Sequence, residues 1–280
     1  MKSANFEVPR FTMRVMRQIP VHVDLLLNLA LRDIRVRYKQ SLLGIGWAIL
    51  LPLSLMLVFT FVFTHAISAK SAMGIDMPYA LYAYCGLVPW TLLSMGLSGC
   101  VNSLVANRNL VTKVYFPREV FPLSCVLSSL VDFLVAMSVL VGLTLYFHWK
   151  GAWVITLSPA ILFVPVVLAV ELVLIVGIGL TLSMANLFYR DIRQIFAVVI
   201  QLWMFVSAVV VPVPRDGSLV SRLIHLNPVV YLIRAYRECI LLGQFPEWWG
   251  FGYAATVALV SLVASACLFR RASYRFAECI

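Results

Sequence analysis

The sequence predicts an all-α membrane protein: six transmembrane helices, an amphipathic interfacial helix before them, and two short re-entrant outer helices between spans five and six. Three observations carry that expectation. The 280 residues are 62% hydrophobic and 12% charged, with a mean hydropathy of +0.95, far too little polar surface for a soluble domain of this length. The apolar residues gather in six runs, roughly 46–67, 79–105, 119–147, 160–187, 194–213 and 250–269, each long enough for a hydrocarbon core of about 30 Å. The basic residues behind the net charge of +10 stand beside these runs, where anionic head groups and topology account for them better than nucleic acid does.

The chain divides into a cytosolic N-terminal segment, residues 1–45, and a single transmembrane domain, residues 46–280. Residues 1–23 read as polar and irregular. From Asp24 to Tyr38, Leu25, Leu26, Leu29, Ile34 and Val36 alternate with Arg32, Asp33, Arg35 and Arg37. That pattern predicts a helix lying in the membrane interface with its basic side chains on phosphates; a plain topogenic charge cluster is the alternative. No cleavable signal peptide is expected, since the first apolar run starts near residue 42 behind a basic leader.

Sixteen of the 22 Lys and Arg residues fall in the segments on the N-terminal side of the membrane and six on the other. The positive-inside rule therefore predicts a multi-pass protein with both termini in the cytosol. Pro52, Pro89 and Pro165 lie inside or near the starts of three runs, where neighbouring helices can satisfy the freed carbonyls.

Between spans two and three comes NRNLVTKVYFP, residues 107–117. Leu110, Val111, Val114, Tyr115 and Phe116 recur at helical spacing among Asn107, Asn109 and Lys113, and Pro117 closes the helix. A loop that only reversed direction could be small and polar; an amphipathic cytosolic helix predicts a docking surface for another protein.

The segment between spans five and six reads as two short helices, Ser218–Leu226 and Val229–Leu242, broken at Asn227-Pro228. Residues 229, 232, 233, 236, 239 and 240 form an apolar face, with Arg234, Arg237 and Glu238 expected on the other. Too short to span and too apolar for a solvent loop, the pair suits a re-entrant hairpin packed in protein, with Arg234 and Glu238 paired at i,i+4. An interfacial hairpin without a gating role is the other reading.

Reactive constellations are missing. The four histidines are scattered, with no HExxH or other metal pattern, so neither catalytic nor metal-binding residues are expected. Six cysteines show no metal-ligand spacing and read as free thiols. Asp132 and Glu171 lie well inside spans; each is a structural acid of the bundle or half of a proton relay. No G-x-x-x-x-G-K-[ST] occurs, so ATP-driven work requires a partner. Aromatic residues mark membrane boundaries at Trp47, Trp248 and Trp249. Phe59 and Phe63 share a face of the first span and Trp203 lies within the fifth, where rings facing inward could stack on sugars.

Four stretches resemble the permease subunits of type 2 polysaccharide ABC exporters, the O-antigen and teichoic-acid branch: LRDIRVRYKQSLLGIGWAILLPL (Leu31–Leu53), GLVPWTLLSMGLSGCVNSLVANRNLVTKVYFPRE (Gly86–Glu119), NLFYRDIRQI (Asn186–Ile195) and LNPVVYLIRAYRECILLG (Leu226–Gly243). The resemblance implies a homodimer in the bacterial inner membrane above two copies of a P-loop ATPase subunit. That partner binds ATP and Mg, this chain carries no cofactor and is no enzyme, and a lipid-linked polysaccharide, as in lipopolysaccharide assembly, passes through the channel. It further implies that Asn107–Phe116 is the ATPase-coupling helix and Asp24–Lys39 the interfacial helix. Ser218–Leu242 is then the outer gate, with Asn227, Pro228, Arg234 and Glu238, and Phe59, Phe63, Trp90, Trp203 and Tyr231 line the sugar path. The other readings are an ABC permease for a drug or lipid, and a proton-coupled carrier or membrane transferase using Asp132 and Glu171.

Overall fold

The structure, a computed structural model, describes residues 10–39, 43–44, 46–63, 77–108, 110, 117–154, 156, 158–212 and 219–273; for 10–22 and 220 it describes the backbone only. The described residues form helices α1 (Arg10–Lys39), α2 (Gly46–Phe61), α3 (Tyr79–Ala106), α4 (Val120–Trp149), α5 (Val164–Phe188), α6 (Ile192–Val206), α7 (Leu219–His225), α8 (Pro228–Arg237) and α9 (Trp248–Ser273). A 3-10 turn, Pro159–Phe163, leads into α5, and a π turn, Glu238–Leu242, continues α8.

Among the described residues, four helical stretches are long and apolar enough to cross a membrane: Tyr79–Ala106, Val120–Trp149, Pro159–Phe188 and Trp248–Ser273. At 26 to 30 residues they run about 39–45 Å against a hydrocarbon core of about 30 Å. Three of the four keep within two residues of the expected runs, while the last starts two residues early and runs four residues past 269, through Arg270 and Arg271. The other two expected runs hold shorter apolar helices, α2 and α6, of 16 and 15 residues. Residues 64–67 of the first expected span, and the end of the fifth at 213, lie outside the described residues.

α1 departs from expectation at its start. The helix begins by Arg10, not Asp24, so residues 10–23 are helical rather than irregular. The reason is local: residues 11–19, FTMRVMRQI, hold no Gly or Pro and several good helix formers.

α3 is the centre of the bundle. Its sequence is apolar all round, and it is covered by α4 on one side, α5 on another, and α2, α6 and α8 around its first half. Tyr84, Leu87, Leu92, Leu93 and Leu97 are wholly buried there. A second cluster closes the opposite end, where Leu29 of α1 meets Leu104, Val120, Phe121, Leu180 and Phe269. The outer faces of α4, α6 and α9 expose Leu134, Val141, Leu145, Val198, Leu202, Phe205, Leu259, Val260 and Val263, an apolar belt that suits lipid and not water. Cys85, Cys100, Cys125, Cys239 and Cys267 are free thiols; Cys279 lies outside the described residues.

In lipid, apolar contact alone does not choose a helix partner, so close backbone approach does much of it. Gly177 of α5 lies against α9: a Cβ there would stand 2.5 Å from Ser261 Oγ and 2.7 Å from the Leu262 nitrogen. Gly142 of α4 has nothing within 4 Å of the same position. Gly177→Val should therefore destabilise the detergent-solubilised protein by about 1–3 kcal/mol, the usual size of overpacking. Gly142→Ala should be neutral or stabilise by up to about 1 kcal/mol. Equal melting temperatures for the two variants would refute this account of the α5–α9 seam.

Candidate functional site

α6 stops at Val206 and the chain turns sharply, with Ala208 at φ +52°. An unwound stretch in a membrane bundle leaves carbonyls that water cannot satisfy. Here side chains do. Asn227 Nδ2 donates to Ser207 Oγ at 2.9 Å and to the Val206 carbonyl at 3.4 Å. Arg237 donates from Nη1 to the Ala208 carbonyl at 3.0 Å and from Nη2 to the Val209 carbonyl at 2.5 Å. The Tyr79 hydroxyl donates to the Val210 carbonyl at 3.1 Å.

Arg237 is only 7% exposed. It also holds the first turns of α3: Nε donates to the Tyr82 carbonyl at 3.3 Å, Nη1 to the Tyr82 hydroxyl at 3.0 Å, and its guanidinium lies 3.7 Å from the Tyr82 ring centroid. Gly86 makes the room, since a Cβ there would stand 2.5 Å from the Val209 carbonyl. No described carboxylate pairs with Arg237; carbonyl dipoles and a π face take its charge instead.

This corrects the expected polar face of the hairpin. Arg237 shares the buried side of α8 and the π turn with Val230, Ile233 and Leu241, seven and four positions before it and four after it, and so on its own face. Arg234 is the exposed arginine. It pairs with Glu238 as the i,i+4 spacing implies, at 2.7 Å, and also with Glu247 at 2.7 Å, while Glu238 accepts the Glu247 amide at 3.1 Å. Asn227 caps α8 by accepting from the Val229 amide at 3.1 Å, and Pro228 occupies the first helical position. Tyr236, fully buried, donates to Glu171 of α5 at 2.7 Å.

The other intramembrane acid has a different partner. Arg37 and Tyr38 of α1 both donate to Asp132 of α4. One turn earlier Asp33 accepts from Ser124 at 3.2 Å, and it also pairs with Arg32 at 2.8 Å; Arg35 is exposed. Burial, followed by the Asp132 contact, pushes the Tyr38 hydroxyl up to about 12. The hydroxyl therefore remains a donor, and its contribution, whole below pH 10, is lost as pH rises towards 12. Among the described residues no hydrogen bond joins Asp132 to Glu171. The cation that pairs with Asp132 thus comes from a different helix, α1.

The aromatic residues divide. Phe59 and Phe63 of the first apolar run continue as a ladder through Tyr79 to Tyr82, with ring centroids 6.4, 5.2 and 6.3 Å apart. Trp90 is buried inside the subunit and meets half-buried Trp203 edge-on at 6.2 Å. Tyr231 packs on Tyr253, centroids 5.8 Å apart. Of the docking segment, Asn107 ends α3, donating to the Ser103 carbonyl at 2.8 Å, and Leu110 and Pro117 are exposed. Asn109, Val111, Lys113, Val114, Tyr115 and Phe116 lie outside the described residues.

The helices and their internally paired charges make this a multi-pass membrane protein whose polar groups hold helices together; among the described residues no group of acids, His and Cys could hold a metal. It belongs to the ABC-2 type transporter family, whose model matches residues 25–241, and is thus a membrane transport subunit. It is 28% identical to the O-antigen export system permease protein RfbA of Myxococcus xanthus over 95% of this chain and 99% of that protein. The protein of that name from Klebsiella pneumoniae is 27% identical over 91% and 94%, and the polysialic acid transport protein KpsM of Escherichia coli 24% over 86% and 91%.

Arg37→Met should lower stability by about 1–3 kcal/mol. That is less than the roughly 3–5 kcal/mol of breaking a fully buried pair, because 33% of the Arg37 side chain is open to solvent. Asp132→Asn should cost less, as it leaves Arg37 free to reach water. Thermal denaturation in detergent compares them; an Arg37→Met protein as stable as the parent would show that α1 is not clamped through Asp132.

Proposed function

We propose that this chain is the membrane-spanning permease subunit of an ATP-driven ABC exporter that moves lipid-linked polysaccharide, of O-antigen, capsule or teichoic-acid type, from the cytosolic to the outer face of the bacterial inner membrane. One observation carries the reading: family membership, joined to likeness across nearly the whole length of permeases named for O-antigen export. The missing P-loop assigns hydrolysis to a separate ATPase. A six-helix subunit leaves no room for a polymer-wide pore, so two copies around a shared channel, over two ATPase subunits, is the economical assembly.

The finer architecture follows from the same reading. α2 and α6 are the first and fifth of six spans, with both termini cytosolic. Asp132 lies about 18 Å from the first residue of α4, whose length is about 45 Å, so the clamp to α1 falls in the cytosolic half of that span, the half an interfacial helix can reach. α7 and α8 form the re-entrant outer gate, a reading supported by the burial of Tyr236 and Arg237 among spans. Residues 107–117 seat the ATPase, and nucleotide-driven closure of that partner moves the spans between two packings.

Leu110→Asp with Val111→Asp should remove the P-loop ATPase that co-purifies with the tagged parent chain and abolish surface polysaccharide, while the protein stays in the membrane. Retained ATPase and export would refute the coupling assignment. A deletion strain with normal surface polysaccharide would refute the cargo and leave another amphiphile.

A further inference from the structure

We infer that Arg237 is the positioning residue that binds the outer hairpin to α3, so that the hairpin and the helix leading to the coupling segment move as one body. The inference rests on the proposed exporter reading.

Satisfying the carbonyls at the end of α6 does not by itself demand a charge. Asn227 and Tyr79 perform that task on either side with neutral groups. A buried guanidinium without a carboxylate is costly, and what it adds is reach. Arg237 presents a rigid planar fork and uses it on two other elements at once: the Tyr82 carbonyl and hydroxyl of α3, and the Ala208 and Val209 carbonyls after α6. One turn cannot slide past another without breaking several of these bonds together. Tyr236 beside it adds Glu171 of α5 to the same lock.

The lock sits at one end of a lever. α3 is 28 residues long, about 42 Å, and Asn107 at its far end opens the coupling segment. Pro89 lies inside α3, but neighbouring helices bury it and most of the helix around it, so α3 is held on all sides and passes displacement along its length. A push at residues 107–117 then arrives at Tyr82 and, through Arg237, at α8. The hairpin does not swing on α3, and the chain just after it stays with this body too, since Glu247 pairs with Arg234 and donates its amide to Glu238.

The test uses the assembled complex. Arg237→Met and Arg237→Lys should both retain the ATPase subunit and hydrolyse ATP within about twofold of the parent, while export falls at least about tenfold, the size of a typical coupling energy. Lysine fails with methionine because a single ammonium cannot bridge both elements. Parental export by either variant overturns the inference. Should the variants fail to assemble, spin labels at Val105 and Leu242, both exposed, decide it in protein with Arg237 intact and Cys267 and Cys279 replaced. A distance constant within about 2 Å between nucleotide-free and ATP-bound states supports one body, and a change of roughly 5 Å overturns it. Failure of the exporter reading shows separately, as a parent chain that purifies without an ATPase.

Discussion

Backbone carbonyls that have left a helix inside a bilayer have no water to turn to, and the short turn after Val206 is built around that fact. Each unsatisfied group in hydrocarbon costs several kcal/mol. Between Val206 and Val210 the carbonyls of 206, 208, 209 and 210 accept from Asn227, Arg237 and Tyr79. Those donors fix where the start of α3 and the whole of α8 must lie. Asn227 spends its oxygen capping α8 and its nitrogen on the turn, so the hairpin starts where α6 stops. Gly86 follows from the same demand, because a side chain there would occupy the space of the Val209 carbonyl.

The buried charges obey one rule in three ways. Asp132 meets a cation from another helix, Glu171 meets a tyrosine hydroxyl, and Arg237 meets carbonyl dipoles and a ring. In every case the partner belongs to a different element. Water-soluble proteins choose helix neighbours largely by burying apolar area, but lipid is as apolar as leucine. Directional contacts and close approaches such as Gly177 to Ser261 then decide which helices touch. Asp132 and Glu171, the two acids inside spans, each tie their helix to another in such a joint.

Much of this was legible in the sequence, and the exceptions have physical causes. Apolar runs locate the long helices to within about a turn, and Asn227-Pro228, legible as the break between the two short helices, is that break, with Asn227 capping α8 and Pro228 starting it. Arg237 was misplaced because a charge was read as belonging to the wet face, although its neighbours at 230, 233 and 241 are apolar; a helical wheel held the signal. Tyr82 gave no sign, since a tyrosine at the start of an apolar helix reads as an interfacial anchor. The Arg37–Asp132 clamp joins residues 95 positions apart, beyond any local pattern. The first half of α1 was lost to its polarity, which helices at an interface share with loops.

If the chain exports a polysaccharide as proposed, where the polymer can pass depends on which faces the subunit leaves uncovered. α3 is enclosed by its own chain, so Trp90 reaches a passage only through Trp203 beside it. α2 buries Ala48, Pro52 and Met56, and α6 buries only Phe196. These two helices flank α3 and carry Phe59 and Trp203, both half-buried and pointing neither fully into the core nor fully away. Under the proposed dimer they are the faces free to meet across a two-fold axis, and half-buried rings there offer sugars a flat surface without fixed hydrogen bonds. Under the same proposal a moving polymer needs contacts that are weak and repeated, which half-buried rings offer and the charged joints elsewhere in the bundle do not.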